Sequence, residues 1–166
     1  MPKNTNTVQK NLLTPVPLDE TDRKILRLLA EDATQTYAEL GKRIHLTAPA
    51  VHERVKRLKR NGVITATVAK LNGKLIGCPL LAFIHVETVG RMMIGALDDL
   101  IALADVEEVH TVTGDTCVVL KVRTRDTKDL EGLLDRIYQI EGVRSTKSYV
   151  VLDSYLERGP KPEVMV

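Results

Sequence analysis

No stretch of the sequence approaches the roughly 18 consecutive apolar residues that a membrane-spanning helix needs, and residues 1–17 (MPKNTNTVQKNLLTPVP) lack the apolar core of a secretory signal. The reading is a cytoplasmic protein with no membrane partner. Cysteine is scarce: Cys78 and Cys117 stand far apart, with no CxxC and no metal-ligand spacing. A disulfide framework and a zinc site are unsupported, and both residues are expected as small buried hydrophobes. Neither charge is in excess, 24 Lys and Arg standing against 22 Asp and Glu. With 43% hydrophobic and 28% charged residues over 166 positions, the chain is ordinary globular material, long enough for one domain or two small ones. Collagen, coiled coil and a fully disordered chain are excluded.

The near-neutral total hides an asymmetry. Residues 1–62 hold 12 basic against 7 acidic side chains, and residues 63–166 hold 12 against 15. A basic module joined to a mildly acidic one points the first at a polyanion and the second at something else. Residues 1–17, rich in Thr, Asn and Pro, read as a disordered tail. Leu18-Asp19-Glu20-Thr21-Asp22 then reads as a helix start, with Asp19 the N-cap and acids in the first turn. Ile25, Leu26, Leu28 and Leu29 recur at helical spacing until Asp32-Ala33. Thr36-Tyr37-Ala38-Glu39 has the form of a capping box opening a short helix through Ile44, and Thr47 caps a third helix with Pro49 in its first turn. A tight turn around His45-Leu46 between the last two gives helix-turn-helix spacing, and a DNA-binding domain is placed at 18–63.

The third helix, Ala48 to Asn61, is the most informative segment. Val51, Val55 and Leu58 fall at i, i+4 and i+7 and form one buried stripe. Pro49, His52, Glu53, Lys56, Arg57 and Arg60 point away from it, and Lys59 lies at its edge. Five of the ten residues from Val51 to Arg60 are basic, against one acid. A charge run usually means a solvated face; here it lies on the second helix of a helix-turn-helix pair, the one that enters the major groove. Residues near the N-terminus of that helix reach base edges, and longer basic side chains reach phosphates. Pro49, His52 and Glu53 are the base candidates. Thr36, Tyr37, Thr47, Lys56, Arg57 and Arg60 are the phosphate candidates, helped by free amides at helix N-termini. Arg54, beside the stripe, reads equally well as an intramolecular partner of Asp22 or Glu39. No Cys or His stands at ligand spacing from His45 or His52, so neither is read as a metal ligand.

From Leu80 the runs become β-type: Leu80–Glu87, Val106–Thr113, Thr116–Val122 and Val143–Leu152, with helical stretches at Met92–Ala104 and Thr127–Ile140. The order β-α-β-β-α-β fits a ferredoxin-like sandwich, giving an α+β chain overall. Helices would cover one face of such a sheet, yet Ala82–Val86, Cys117–Leu120 and Tyr149–Leu152 are apolar on both faces. A homodimer with packed sheets is therefore inferred, and its two-fold axis suits a palindromic DNA site. Thr113-Gly114-Asp115-Thr116 joins the central strands, and Arg144-Ser145-Thr146-Lys147-Ser148 opens the last. These read either as a hairpin turn and a polar strand face, or as a carboxylate with hydroxyls and amides that hold a small zwitterion. Spacing alone does not choose.

The chain resembles the Lrp/AsnC, or feast/famine, family of transcription regulators from Leu18 to about Leu156. The resemblance rests on Leu18–Leu26, Glu39-Leu40-Gly41-Lys42-Arg43-Ile44, Val51–Leu58, Gly62-Val63-Ile64, Val112-Thr113-Gly114-Asp115 and Gly142-Val143 to Leu152. It implies a strand linker near Ile64–Leu71 within residues 64–79, a RAM/ACT-like effector and oligomerisation domain at 80–156, and a tail at 157–166. It further implies dimers assembling into octamers and an amino-acid effector bound between dimers, with no other cofactor. Carried over by position, His110, Thr113, Gly114, Asp115 and Thr116 come from one subunit, and Thr146 and Ser148 from a neighbour. The chain departs from many members in having Thr116 and Cys117 where an aromatic residue and a second acid follow Gly-Asp, and Thr34 where Arg is frequent.

Three readings differ in what they ask of these residues. The first is an amino-acid-responsive DNA-binding regulator, not an enzyme. The second is an architectural DNA-binding protein with no effector, which differs only in what Asp115 does. The third is an enzyme like the sirohaem decarboxylases of related architecture, with His85 and His110 as acids; it lacks a paired nucleophile and base and leaves the basic helix without a use.

Overall fold

The computed structural model describes residues 16–89 and 93–162. The expected tail up to residue 15, and Met92 as a helix start, lie outside them. The chain divides into two compact units, one running up to Ala69 and taking in the chain again from Arg158, the other Lys70–Glu157.

In the first unit three helices follow one another: α1 (Glu20–Glu31), α2 (Tyr37–Ile44) and α3 (Ala48–Arg60). Each begins where a short polar side chain satisfies amides that a helix leaves unpaired. The Asp22 amide donates to the Asp19 carboxylate at 2.7 Å, and the Asp22 carboxylate accepts from the Asp19 amide at 3.3 Å. Thr36 and Glu39 form the same reciprocal box at α2, and Thr47 accepts from the Ala50 amide at α3. Ile25, Leu40, Val51, Val55 and Leu58 make the core, each 2% exposed or less. Burial of each such side chain contributes on the order of 1.5–3 kcal/mol.

The turn between α2 and α3 depends on backbone geometry. His45 sits in the left-handed region (φ 58°), and the Leu46 amide returns to the Gly41 carbonyl at 2.9 Å. That closure brings the Leu46 carbonyl oxygen onto the place a β-carbon of residue 41 would occupy. Gly41→Ala is therefore expected to destabilise the helical unit by about 1–3 kcal/mol, since backbone must move to relieve the clash. Gly95→Ala, whose new methyl meets open space in a helix, is expected to be neutral or stabilising by about 0.5–1 kcal/mol. Denaturant unfolding of both variants checks the contrast.

The second unit runs β1 (Leu80–Thr88), α4 (Met93–Ala102), β2 (Val106–Thr111), β3 (Val118–Thr124), α5 (Thr127–Tyr138) and β4 (Val143–Val150). The strands form an antiparallel sheet in the order β2-β3-β1-β4, as expected of a ferredoxin-like fold. Ala82, Ile84 and Val86 of β1 and Val118, Leu120 and Val122 of β3 face the helices and pack with Leu100, Leu130, Leu133 and Ile137.

Several expectations need correction. The hairpin strands stop short of the Gly-Asp segment, because Val112 and Cys117 close a four-residue loop through the Val112 amide and Cys117 carbonyl, 3.0 Å apart. Residues 64–79 contain no strand: none of the described residues pairs with 65–72, a strand needs such a neighbour, and residues 73–77 turn instead. Of the expected tail, the described residues 158–162 group with the helical unit. Cys78 and Cys117 are only partly buried. The sheet face away from the helices is less apolar than expected. Phe83 and Tyr149 stand opposite each other there, 38% and 53% exposed, but the β2–β3 end of that face carries an ion-pair ladder of Glu107 and Glu108 with Lys121 and Arg123.

Candidate DNA-binding and effector sites

The buried stripe of α3 fixes which of its residues are free. Pro49, His52, Glu53, Lys56 and Arg60 are all exposed on the opposite side. Glu53 lies about one ion-pair distance from both neighbours, 3.9 Å from the Lys56 ammonium and 4.0 Å from His52 Nδ1. The ring of Tyr37, at the start of α2, stacks on His52 with centroids 5.2 Å apart. Tyr37 thus joins the two helix N-termini on one surface, where unpaired amides favour anions. The hydroxyls of Thr36 and Thr47 are already engaged in their caps, Thr36 with Glu39 and Thr47 with the Ala50 amide; what they offer a phosphate is the helix start they hold.

Arg57, unlike the other candidates on α3, is paired with a buried carboxylate of the chain. Its Nη2 donates to both oxygens of Asp22, at 2.7 and 2.6 Å, and Arg54 Nη1 donates to Asp22 at 2.8 Å and to Asp19 at 2.5 Å. The Asp22 carboxylate is 1% exposed. On a helical wheel Arg57 does point away from the stripe, but α1 starts close enough for its long side chain to fold back onto a buried carboxylate that needs a cation. Arg54 takes the Asp22 alternative and not Glu39, which is held by Thr36. The Arg54 hydrogen bond holds the Asp19 carboxyl below the usual range, and Asp19 in turn raises the Arg54 guanidinium. The start of α1 and the rear of α3 are clamped together through four side chains.

In the sheet unit, Thr113, Gly114 and Asp115 are exposed in the β2–β3 loop, and Gly114 adopts φ 129°, a conformation that favours glycine. The Thr116 hydroxyl donates to the Val86 carbonyl at 2.9 Å, tying the loop to the end of β1. His110 lies opposite Val119 on the face away from the helices, with Nε2 3.0 Å from Glu108. Hydrogen bonds from His110 and Lys121 hold the Glu108 carboxyl below its ordinary value. Thr146 and Ser148 pair with Val86 and Ile84, so they share the helix-facing side of β4, where Thr146 donates to the Tyr138 hydroxyl at 2.9 Å. β2 and β4 are the two edges of the sheet. His110 and the Thr146–Ser148 pair therefore stand on opposite edges and opposite faces, and one chain does not bring them together. The Arg57 half of the Asp22 clamp and the Glu107–Arg123 ladder escape sequence reasoning, because both depend on contacts between segments distant along the chain. Among the described residues no cluster of His, Cys, Asp and Glu suits a metal ion, and no helix is long and apolar enough to cross a membrane.

Residues 18–59 match the AsnC-type helix-turn-helix domain, and residues 81–160 match the Lrp/AsnC ligand binding domain. The HTH-type transcriptional regulator FL11 of Pyrococcus abyssi is 33% identical over 147 residues, covering 89% of this chain and 97% of that protein. The HTH-type transcriptional regulator Rv2324 of Mycobacterium tuberculosis is 36% identical over 147 residues, covering 86% and 97%. The solved structure of E. coli AsnC superposes with a TM-score of 0.82 at 30% identity, over 89% of this chain and 100% of that one. A feast or famine regulatory protein from M. tuberculosis, complexed with L-methionine, gives 0.80 at 34% identity over 85% and 96%.

Proposed function

Because the chain belongs to the Lrp/AsnC family of transcriptional regulators, we propose that its helical unit reads double-stranded DNA through α3 and that its sheet unit binds a free amino acid that tunes this reading. The observation that carries the DNA assignment is the exposed basic face of α3 behind two capped helix starts. Pro49, His52 and Glu53 reach base edges in the major groove. Lys56, Arg60, Tyr37 and the helix starts at Thr36 and Thr47 meet phosphates, and Arg57 serves as an anchor of α3.

The protein acts in this reading as a homodimer on a palindromic site, in the cytoplasm, with dimers assembling further into octamers. Exposed Phe83 and Tyr149 on the sheet face support the dimer. The reading assigns residues 18–63 to DNA binding and 80–156 to effector binding and assembly. The effector site takes His110, Thr113, Gly114, Asp115 and Thr116 from one chain and Thr146 and Ser148 from another, which their separation within one sheet favours. Asp115 faces the ammonium of the amino acid and the loop amides face its carboxylate. The protein is not an enzyme in this account: His85 stacks on Tyr149 and His110 is held by Glu108, both structural uses.

Thermal melting against each of the twenty amino acids tests the effector assignment, since a ligand of the folded form raises its stability, by about 2.7 kcal/mol at a hundredfold excess over Kd. At least one amino acid is expected to raise the melting temperature of the wild type and to leave Asp115→Ala unmoved. No response from any of them would transfer the protein to the architectural, effector-independent class.

A further inference from the structure

A groove of about 1140 Å³ opens in the helical unit between α1, residues 63–68 and residues 158–162, with Leu26, Leu29, Val63 and Ile64 among its apolar lining. Its charge is lopsided. Among the described residues Arg27, Lys59, Arg158 and Lys161 line it, all exposed, against one carboxylate, Glu31, which lies 3.9 Å from Arg43 outside the groove. None of the four cations forms an ion pair among the described residues.

Two observations connect this basic rim to the DNA-reading face. At about 100° per residue Lys59 lies roughly 60° around α3 from Lys56, so the positive surface continues from one into the other. Tyr37, which stacks on His52, is also a wall of the groove. The far side of the rim is held in place as well. Arg23 Nη1 donates to the Pro162 carbonyl at 2.9 Å, and Lys161 stands between Pro160 and Pro162, whose rings fix the backbone and favour an extended conformation. A held backbone reduces the freedom this segment loses when an anion arrives.

We infer that Lys59, Arg27, Arg158 and Lys161 form a second phosphate-binding strip, which grips the DNA backbone flanking the stretch that α3 reads. The returning segment 158–162 is then part of the DNA-binding surface, although it follows the effector domain in sequence. The inference rests on the DNA-binding reading above and extends it to residues outside the helix-turn-helix.

The test is the salt dependence of binding to random-sequence duplex DNA for three full-length proteins: wild type, Arg158→Ser/Lys161→Ser, and Lys56→Ala/Arg60→Ala, with a melting curve for each. Each lost phosphate contact removes about 0.9 from the slope of log affinity against log salt. The tail variant is expected to melt as wild type does, to bind more weakly at low salt and, with four contacts gone from a dimer, to lose about a hundredfold less affinity between about 50 and about 200 mM salt. Charge reversal, Arg158→Glu/Lys161→Glu, is expected to weaken binding further. If the tail variants keep the wild-type affinity and slope while Lys56→Ala/Arg60→Ala weakens binding, the strip is refuted and the DNA reading survives. A lowered melting temperature with an unchanged slope would make the segment an internal strap only, which also refutes the strip. Absence of DNA binding by the wild type would overturn both readings.

Discussion

Replacing Asp22 by alanine is expected to cost the protein about 2–3 kcal/mol, the largest loss from any single polar side chain in the helical unit. A buried ion pair broken on one side costs about 3–5 kcal/mol when the remaining charge stays trapped. Here the survivors are Arg54 and Arg57, whose side chains are 29% and 43% exposed, so both can turn to water and the loss is smaller. What is lost is three charge-assisted hydrogen bonds of 2.6 to 2.8 Å and the reciprocal cap on the Asp19 amide. Asp22→Asn keeps the shape and is expected to fall between wild type and alanine. The consequence for function is specific: α3 loosens, so DNA affinity drops, yet no phosphate contact disappears and the salt slope holds. Denaturant unfolding together with a salt titration separates these effects. A loss under about 0.5 kcal/mol would reduce the clamp to an ordinary surface pair.

The second large effect belongs to the exposed face of α3. Lys56→Ala/Arg60→Ala removes two phosphate contacts per chain with no intramolecular role to confuse the result. Among the described residues the one ion pair of Lys56 is with Glu53, at 3.9 Å. Each contact is worth about 0.9 in salt slope, or roughly threefold in affinity between about 50 and about 200 mM salt. In a dimer four contacts vanish, so binding to most duplexes is expected to weaken at low salt and to lose about a hundredfold less affinity between about 50 and about 200 mM salt, with unfolding unchanged. The pair Lys56 and Arg57, which a helical wheel would suggest, is the wrong choice, because removing Arg57 opens the Asp22 clamp and mixes a stability loss into the binding measurement. An unaltered slope in Lys56→Ala/Arg60→Ala would remove this face from the DNA interface.

The contrast between Lys56 and Arg57 shows what the sequence makes legible. Periodicity locates Val51, Val55 and Leu58 as a stripe, and the caps at Asp19, Thr36 and Thr47 are local enough that residue type and spacing determine them. The βαββαβ order was legible for the same reason. The pairing of Arg57 with Asp22 is not legible because the two stand thirty-five residues apart, and a wheel reports direction from the helix axis without the reach of a flexible side chain. The strand that the resemblance implies near Ile64–Leu71 has no pairing neighbour among the described residues of the chain, which composition does not reveal. In the sheet unit the sequence brought forward Thr113 to Thr116 and Thr146 with Ser148, but only the strand order and register separate them onto opposite edges and faces. That separation is what makes an effector site assembled from two chains the economical reading of these residues. The basic segment 158–162 could not be joined to the helical unit by sequence, since its order along the chain places it after the effector domain.

The central claim is that an amino acid held by the sheet unit changes how the helical unit holds DNA. The most direct measurement is the affinity of the full-length protein for promoter-region duplex DNA, at fixed salt, with and without the amino acid that raises its melting temperature. Coupling between two such sites is typically about 5–150-fold in affinity, so a shift of at least about fivefold is expected in the wild type and none in Asp115→Ala. An affinity indifferent to every amino acid, or no affinity for DNA at all, would contradict the account.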